Sequence, residues 1–286
     1  MAKKALLVGL NHYPDPRNNL KGCINDVLMM SKLLQENFGF DDINNIRLLT
    51  DERATTQAIR DRLEWLVKDA KAGDVLVFHY SGHGAQVRDR DGDELKDHMD
   101  EMICPYDLDW DNPFTDDDLH NIFKDLKPEV NLTVVLDCCH SGNGLREMIR
   151  PDMPNRPKFL VPPPDIQHRT NPVIEDLGVD KALTMTKPKK ELKVAKIGQK
   201  AAKGGALLVS ACRANQVADD AWINGDFHGA LTFYFYKVVS EAQFKISYSE
   251  LVEKVRADLK AAHHRQVPQL EGPKDYMKEQ LFGIFK

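Results

Sequence analysis

The stretches DVLVFHYSGHG (residues 74–84) and NLTVVLDCCHSG (residues 131–142) decide the fold. Each is a run of apolar residues that does not alternate with polar ones, and each ends in a loop of small residues. A short continuous apolar run reads as a strand buried on both faces. ALLVG (5–9) and the run Ile46 to Leu49 read the same way. Between them lie segments with helical spacing. Residues 24–38 carry Ile24, Val27, Leu28, Leu33, Leu34 and Phe38, and residues 55–69 carry Ile59, Leu63, Leu66 and Val67. Residues 116–126 complete the set. Strands alternating with helices predict an α/β fold with a mostly parallel central sheet and helices on both faces.

Outward from this core the pattern breaks and then resumes. Residues 150–203 hold eight of the fifteen prolines and twelve Lys or Arg against six acids. Proline removes a donor and fixes the backbone, so little regular structure is expected through 151–172. The segment reads as a mobile basic insert, with a plain surface loop as the bland alternative. After it, GALLVSACRANQ (205–216) resumes a strand. Residues 229–241 and 247–261 read as helices, and VPQLEG (267–272) and EQLFGIF (279–285) as closing strands. The expected organisation is one domain, 1–286, with regions 1–149 and 204–286 on either side of the insert.

The chain has 286 residues, 42% hydrophobic and 29% charged, with a net charge of −5. That is ordinary for a globular protein, and it gives no reason to expect nucleic acid or an anionic membrane as partner. Five cysteines without a CxxC pair predict neither a disulfide framework nor a zinc site. The opening MAKKALLVGLNHYPD has too short an apolar run for a signal peptide, and no stretch approaches a membrane span. A soluble cytoplasmic protein is expected.

Sites in open α/β sheets form at the carboxyl ends of strands. Here two such ends carry chemistry: His83 in SGHG, and Cys138, Cys139 and His140 in DCCHSG. A thiol becomes a strong nucleophile when a neighbouring imidazole takes its proton. Flanking glycines let backbone approach a substrate and leave N–H groups to stabilise an oxyanion.

YSGHG (80–84) and DCCHSG (137–142), with GCINDV (22–27), SACRANQ (210–216) and NGDFHGALTFY (224–234), resemble the metacaspases in content and order. The resemblance extends over nearly all of the chain outside 150–203, and it points to the prokaryotic type without a prodomain. It implies a caspase-like (caspase-hemoglobinase) fold and a cysteine endopeptidase. It implies that Cys139 is the nucleophile, His83 the base, and the N–H groups of Gly84 and Cys139 the oxyanion hole. It also implies cleavage after Arg or Lys in protein substrates, through an acidic pocket at Cys23, Asp26, Ser81 and Asp137. Two carboxylates in a sheltered cleft hold a guanidinium or ammonium by charge-assisted bonds. The bland readings are a helix N-terminal charge for Asp26 and a strand-end polar group for Asp137. Relatives of this kind act as monomers.

The insert offers Arg150, Arg156, Arg169, Lys181, Lys187, Lys189, Lys190, Lys193, Lys196, Lys200 and Lys203 as places for the enzyme to cut itself. No cofactor is needed for the chemistry. Residues 89–118 hold thirteen acids and two basic residues. Their register does not fit an EF-hand. The resemblance implies Ca²⁺ at Asp100, Asp116 and Asp117, but Arg146 falls on the fourth ligand position, where a cation opposes the metal. The alternative there is a solvated acidic loop with Asp116 or Asp117 capping a helix at 118–126. For the whole chain, the competing reading is a catalytically silent caspase-like scaffold. A redox role for Cys138–Cys139 lacks the usual CxxC spacing and leaves His83 and Asp26 without a purpose.

Overall fold

A computed structural model describes residues 1–88, 99–127, 129–140, 155–166, 206–213 and 216–285. Four strands form its parallel core: β1 (Lys3–Gly9), β2 (Ile46–Thr50), β3 (Val75–Ser81) and, further along the chain, β7 (Asn131–Asp137); β2, read from sequence as buried on both faces, is the edge strand and leaves Arg47 and Leu48 exposed. Every residue of β3 and β7 is buried, as continuous apolar strands require when both faces are covered. β9 (Leu207–Ser210) and β12 (Gln269–Glu271) come from the far side of the insert and complete the sheet, in the order β12-β9-β7-β3-β1-β2. Only the β12 pairing is antiparallel among these.

Helix α1 (Cys23–Phe38) joins β1 to β2, and α3 (Thr56–Val67) joins β2 back to β3; a single turn, α2 (Asp42–Asn45), precedes β2. The two crossovers run in opposite directions across the sheet. Right-handed connection therefore puts α1 and α3 on opposite faces. α1 is stopped by Gly39, whose φ of 68° is the left-handed conformation glycine adopts without penalty. α4 (Asp116–Phe123) lies beside α3; α5 (Ala230–Glu241) lies beside α1 and is followed by α6 (Tyr248–Ala261).

Two small sheets were not legible in the apolar pattern. One is the meander β4 (Gly84–Arg88), β5 (Met99–Ile103) and β6 (Phe114–Thr115). The other places β10 (Asp219–Ile223) between β11 (Asp226–Gly229) and the two-residue β8 (Arg156–Pro157). The β10–β11 hairpin turns on Asn224 and Gly225, both at positive φ, 58° and 96°. Asn-Gly is the usual two-residue signal for such a turn.

Three expectations change. EQLFGIF is not a strand. Leu281, Phe282 and Phe285 are buried, but Phe282 turns the chain at a φ of 51°. The segment is held by Leu281 N–H donating to Ile246 O, and by Phe282 N–H donating to the Tyr248 hydroxyl. The helix expected at 116–126 begins at Asp116 but ends at Phe123, and it is capped by Thr115 with Asp118 in a capping box rather than by Asp116 or Asp117. Finally, residues 155–166, within the stretch expected to lack regular structure, include β8 and the fully buried Lys158. Prolines did not prevent this, because the backbone amides used for pairing there belong to Lys158 and Leu160, not to prolines. The rest of 150–203 lies outside the described residues.

Tyr248 Oη is shared by Asn131 Nδ2 at 3.1 Å, Thr133 Oγ1 at 2.6 Å and Phe282 N at 3.1 Å, all buried. Tyr248→Phe strips these groups of a common partner and is expected to cost about 1–3 kcal/mol in urea unfolding. An unchanged midpoint would mean the hydroxyl does not anchor this segment.

Candidate active site

Parallel pairing of β3 and β7 sets Ser81 opposite Asp137. His83 and Cys139 each stand two residues beyond that rung, so the register brings imidazole and thiol to one edge of the sheet. Both are buried, at 4% and 0% exposure.

His83 is fixed from three sides. Its backbone N–H donates to Tyr13 Oη at 2.9 Å, its carbonyl accepts from Tyr80 Oη at 2.7 Å, and its Nε2 lies 2.7 Å from the Asn18 carbonyl. A carbonyl only accepts, so Nε2 carries the proton and Nδ1 keeps its lone pair. Nδ1 is buried without a partner. Burial pushes the imidazole down to about 4, aided by the charges of Lys158 and Arg156 and opposed by the Asn18 carbonyl. It is therefore a neutral base at ordinary pH, with its free nitrogen in the site.

Cys139 Sγ accepts the N–H of Ala218 and lies 3.6 Å from the Ala218 carbonyl. Among the described residues no hydrogen bond joins it to His83. Cys138 is buried, with Sγ 3.5 Å from His140 Nε2, and all five cysteines are free thiols. A disulfide between Cys138 and Cys139 is thus absent.

The backbone N–H groups of Gly84 and Cys139 both donate to one oxygen, the carbonyl of Lys158, each at 3.1 Å. A Cβ on Gly84 would run into the Cys139 carbonyl, so only glycine lets the two loops come together here. Lys158 N–H donates to Ala218 O at 3.0 Å, and Leu160 N–H to Gly84 O at 2.9 Å. β8 adds antiparallel to β10, with Pro157 opposite Asp219 and Arg156 opposite Asp220. Residues 156–160 thus lie in the cleft as an added strand, the way extended peptides bind sheet edges.

The side chain of Lys158 enters a pocket floored by α1, β3 and β7. Its Nζ is 2.8 Å from Ser81 Oγ, 3.2 Å from Asp137 Oδ1 and 3.3 Å from Asp26 Oδ2, and all four side chains are fully buried. Ser81 Oγ donates to Asp26 Oδ2 at 2.6 Å. Gly229 N–H donates to Asp26, and Thr232 donates to Asp137 Oδ2 from both N–H and Oγ1 at 2.8 Å. Burial raises the Asp26 carboxyl, but Lys158, His228 and Ser81 together hold it below the usual range. Burial dominates at Asp137 and raises it. Both carboxylates bond one ammonium, and burial alone would lower that ammonium; the surrounding acids hold it well above the ordinary lysine value instead. Cys23 is buried nearby, its thiol pushed up by burial with Lys158 pulling the other way.

The structure brings Asp26, Ser81 and Asp137 together around one ammonium, with Cys23 buried near it. The pocket's occupant was missed: Lys158 is not among the basic residues singled out in the insert, and Arg156, which is, faces outward to the Asn19 carbonyl at 2.7 Å. Gly229, Thr232 and Asp220 were also missed as individual residues, although NGDFHGALTFY marks their neighbourhood. A Cβ on Gly229 would strike Lys158 Nζ and both carboxylates.

For calcium, Asp100 and Asp116 are buried and Asp117 is half-buried. β5 and β6 pair with Met102 opposite Thr115, which sets Asp100 and Asp116 near one end of that small sheet. Carboxylates are the oxygen donors a hard cation takes. Among the described residues no group of three or more His, Cys, Asp or Glu is arranged to hold a metal. Arg146 and residues 89–98 lie outside the described residues.

Comparison with known proteins gives a consistent family. A family model for the metacaspase, peptidase C14 domain, matches residues 3–147. Metacaspase-1 of Scheffersomyces stipitis is 35% identical over 94% of this chain and 70% of its own length. Metacaspase-1 of Schizosaccharomyces pombe is 34% identical over 94% of the chain and 66% of its own. A crystal structure of a protein from Geobacter sulfurreducens superposes with a TM-score of 0.69 at 26% identity, covering 100% of both chains. Among the described residues no helix is long and apolar enough to cross a membrane.

The buried imidazole gives a pH test. The folded chain holds His83 near 4 while an unfolded histidine titrates near 6.5, so below about pH 6.5 the unfolded state binds more protons at this site. Stability from a neutral His83 is full above that value and is lost as pH falls toward 4. In urea unfolding of Cys139→Ala, adding His83→Gln should make the stability loss between about pH 7 and pH 4.5 shallower. An unchanged slope would mean His83 is not held neutral.

Proposed function

The chain belongs to the metacaspase family of C14 cysteine peptidases, and from that premise we propose that it hydrolyses peptide bonds after Arg or Lys and first cuts its own Lys158–Phe159 bond. One observation carries this reading. A lysine of the chain itself fills the acidic pocket while its carbonyl oxygen receives both N–H groups of the expected oxyanion hole.

In this mechanism Cys139 Sγ turns from Ala218 toward the Lys158 carbonyl carbon and bonds to it. His83 Nδ1, held by the Nε2–Asn18 bond, takes the thiol proton. The carbonyl oxygen becomes an oxyanion between Gly84 N–H and Cys139 N–H, donors of a kind each worth about a hundred- to a thousandfold in rate. The C–N bond breaks, and the amine of Phe159 leaves with the proton from His83. Water, deprotonated by His83, then frees the acyl group and restores the thiol. The intact chain is a zymogen in this reading, because its own lysine fills the pocket any substrate needs. An aspartate before the scissile bond would bring a third carboxylate into that pocket, at a cost of several kcal/mol, roughly.

The working partners are protein or peptide substrates, met by a monomer in the cytoplasm. Calcium at Asp100, Asp116 and Asp117 belongs to the same proposal, supported by the buried carboxylates of Asp100 on β5 and Asp116 at the start of α4 and opposed by Arg146.

Short fluorogenic peptides ending in Arg, Lys or Asp test the specificity, run with wild type and Cys139→Ala, in calcium and in chelator. Arg and Lys peptides are expected to be cut by wild type alone, after a lag that tracks processing of the chain. Gly229→Ala should lower that cleavage by about tenfold or more by filling the pocket. Cleavage after Asp, or none by a folded processed chain, would overturn the pocket assignment. Equal rates in calcium and chelator would remove the metal.

A further inference from the structure

The segment that follows Lys158 is seated as firmly as the one before it. Phe159 and Leu160 are each only 8% exposed, and they wall a cavity of about 530 Å³ whose other walls include Tyr13, Tyr106, Leu108 and Trp110. Phe159 forms a parallel bridge with Gly84, and Leu160 N–H donates to the Gly84 carbonyl. Gly84 therefore holds the carbonyl before the scissile bond with its N–H and the amide two residues later with its C=O. The charged residues at the rim, Asp15 and Arg17, pair with each other at 2.6 Å, so this cavity presents no net charge for a substrate to match.

We infer that this cleft is the leaving-group side of the substrate site, selecting polypeptides with bulky apolar residues, aromatic ones included, at the first two positions after the cut. This rests on the reading of Lys158 as the residue cut after. Before processing, Phe159 and Leu160 stand where those substrate residues go. Once the Lys158–Phe159 bond is cut, they can leave, and the surface of Tyr13, Tyr106, Leu108 and Trp110 is open to an incoming chain. Apolar side chains there would remove that surface from water, whereas charged ones would be desolvated without a partner.

The test uses internally quenched peptides that share one sequence up to lysine and differ after it: Lys-Phe-Leu, Lys-Gly-Ser and Lys-Asp-Asp. Aminocoumarin substrates ending in Arg or Lys, which carry no residues after the cut, run alongside. With the processed full chain, kcat/KM is expected to be at least about tenfold higher for Lys-Phe-Leu than for Lys-Gly-Ser, and lowest for Lys-Asp-Asp. Leu108→Lys should raise Lys-Asp-Asp relative to Lys-Phe-Leu, a gain that a damaged fold does not produce. Aminocoumarin cleavage with equal kcat/KM for all three peptides would overturn this inference and leave the basic specificity standing. Failure to cut the aminocoumarin substrates after Arg or Lys would overturn both.

Discussion

A single ammonium, Lys158 Nζ, sits fully buried against two fully buried carboxylates, Asp26 and Asp137, with Ser81 Oγ as the fourth member. Taking such charges out of water is expensive, and attraction between them offsets that cost only when the remaining hydrogen bonds are made. Here Gly229 and Thr232 supply backbone N–H groups, Ser81 and Thr232 supply hydroxyls, and Asp137 Oδ1 keeps the ion pair with Lys158. Removing the ammonium alone leaves two acids facing each other in the dry, a situation that costs on the order of 3–5 kcal/mol. The pocket is thus built to want a cation. In the proposed function that cation is first the chain's own Lys158 and afterwards a substrate's Arg or Lys.

That demand ties the remote parts of the sequence together. Asp26 comes from the first turn of α1, Ser81 and Asp137 from paired ends of β3 and β7, Gly229 from the end of β11. Gly229 and Gly84 stand where side chains would collide with the occupant or the facing loop. The same added strand that delivers Lys158 to the pocket sets its carbonyl between Gly84 and Cys139. In the proposed function, recognition of the side chain and polarisation of the carbonyl are therefore one placement. His83 is kept neutral by burial and oriented by Asn18, and in the proposed mechanism the thiol turns toward it from Ala218.

How much of this the sequence showed follows from what each part depends on. The β3 and β7 strands were legible because burial on both faces leaves an unbroken apolar run, and the loops after them because Gly, His and Cys cluster there. Asp26, Ser81 and Asp137 were named through the metacaspase motifs; the sheet register explains why Ser81 and Asp137 meet, and the first turn of α1 brings Asp26 to them. Lys158 was not legible. Its neighbours Pro157, Pro162 and Pro163 argue locally for loop, and its strand exists only because β10 and Gly84 offer partners that lie 60 or more residues away in the chain. Asn224-Gly225 is a local hairpin signal, and the β10–β11 hairpin turns there. EQLFGIF misled in the other direction: its apolar residues are buried, but at a turn rather than in a ladder.

The most direct measurement is the intact mass, with N-terminal sequencing, of wild type beside Cys139→Ala after incubation. Wild type should resolve into fragments 1–158 and 159–286, the second beginning at Phe159, while Cys139→Ala stays whole. A wild-type chain that cuts peptides after Arg or Lys yet keeps its Lys158–Phe159 bond would contradict the assignment of Lys158 as the enzyme's own first substrate.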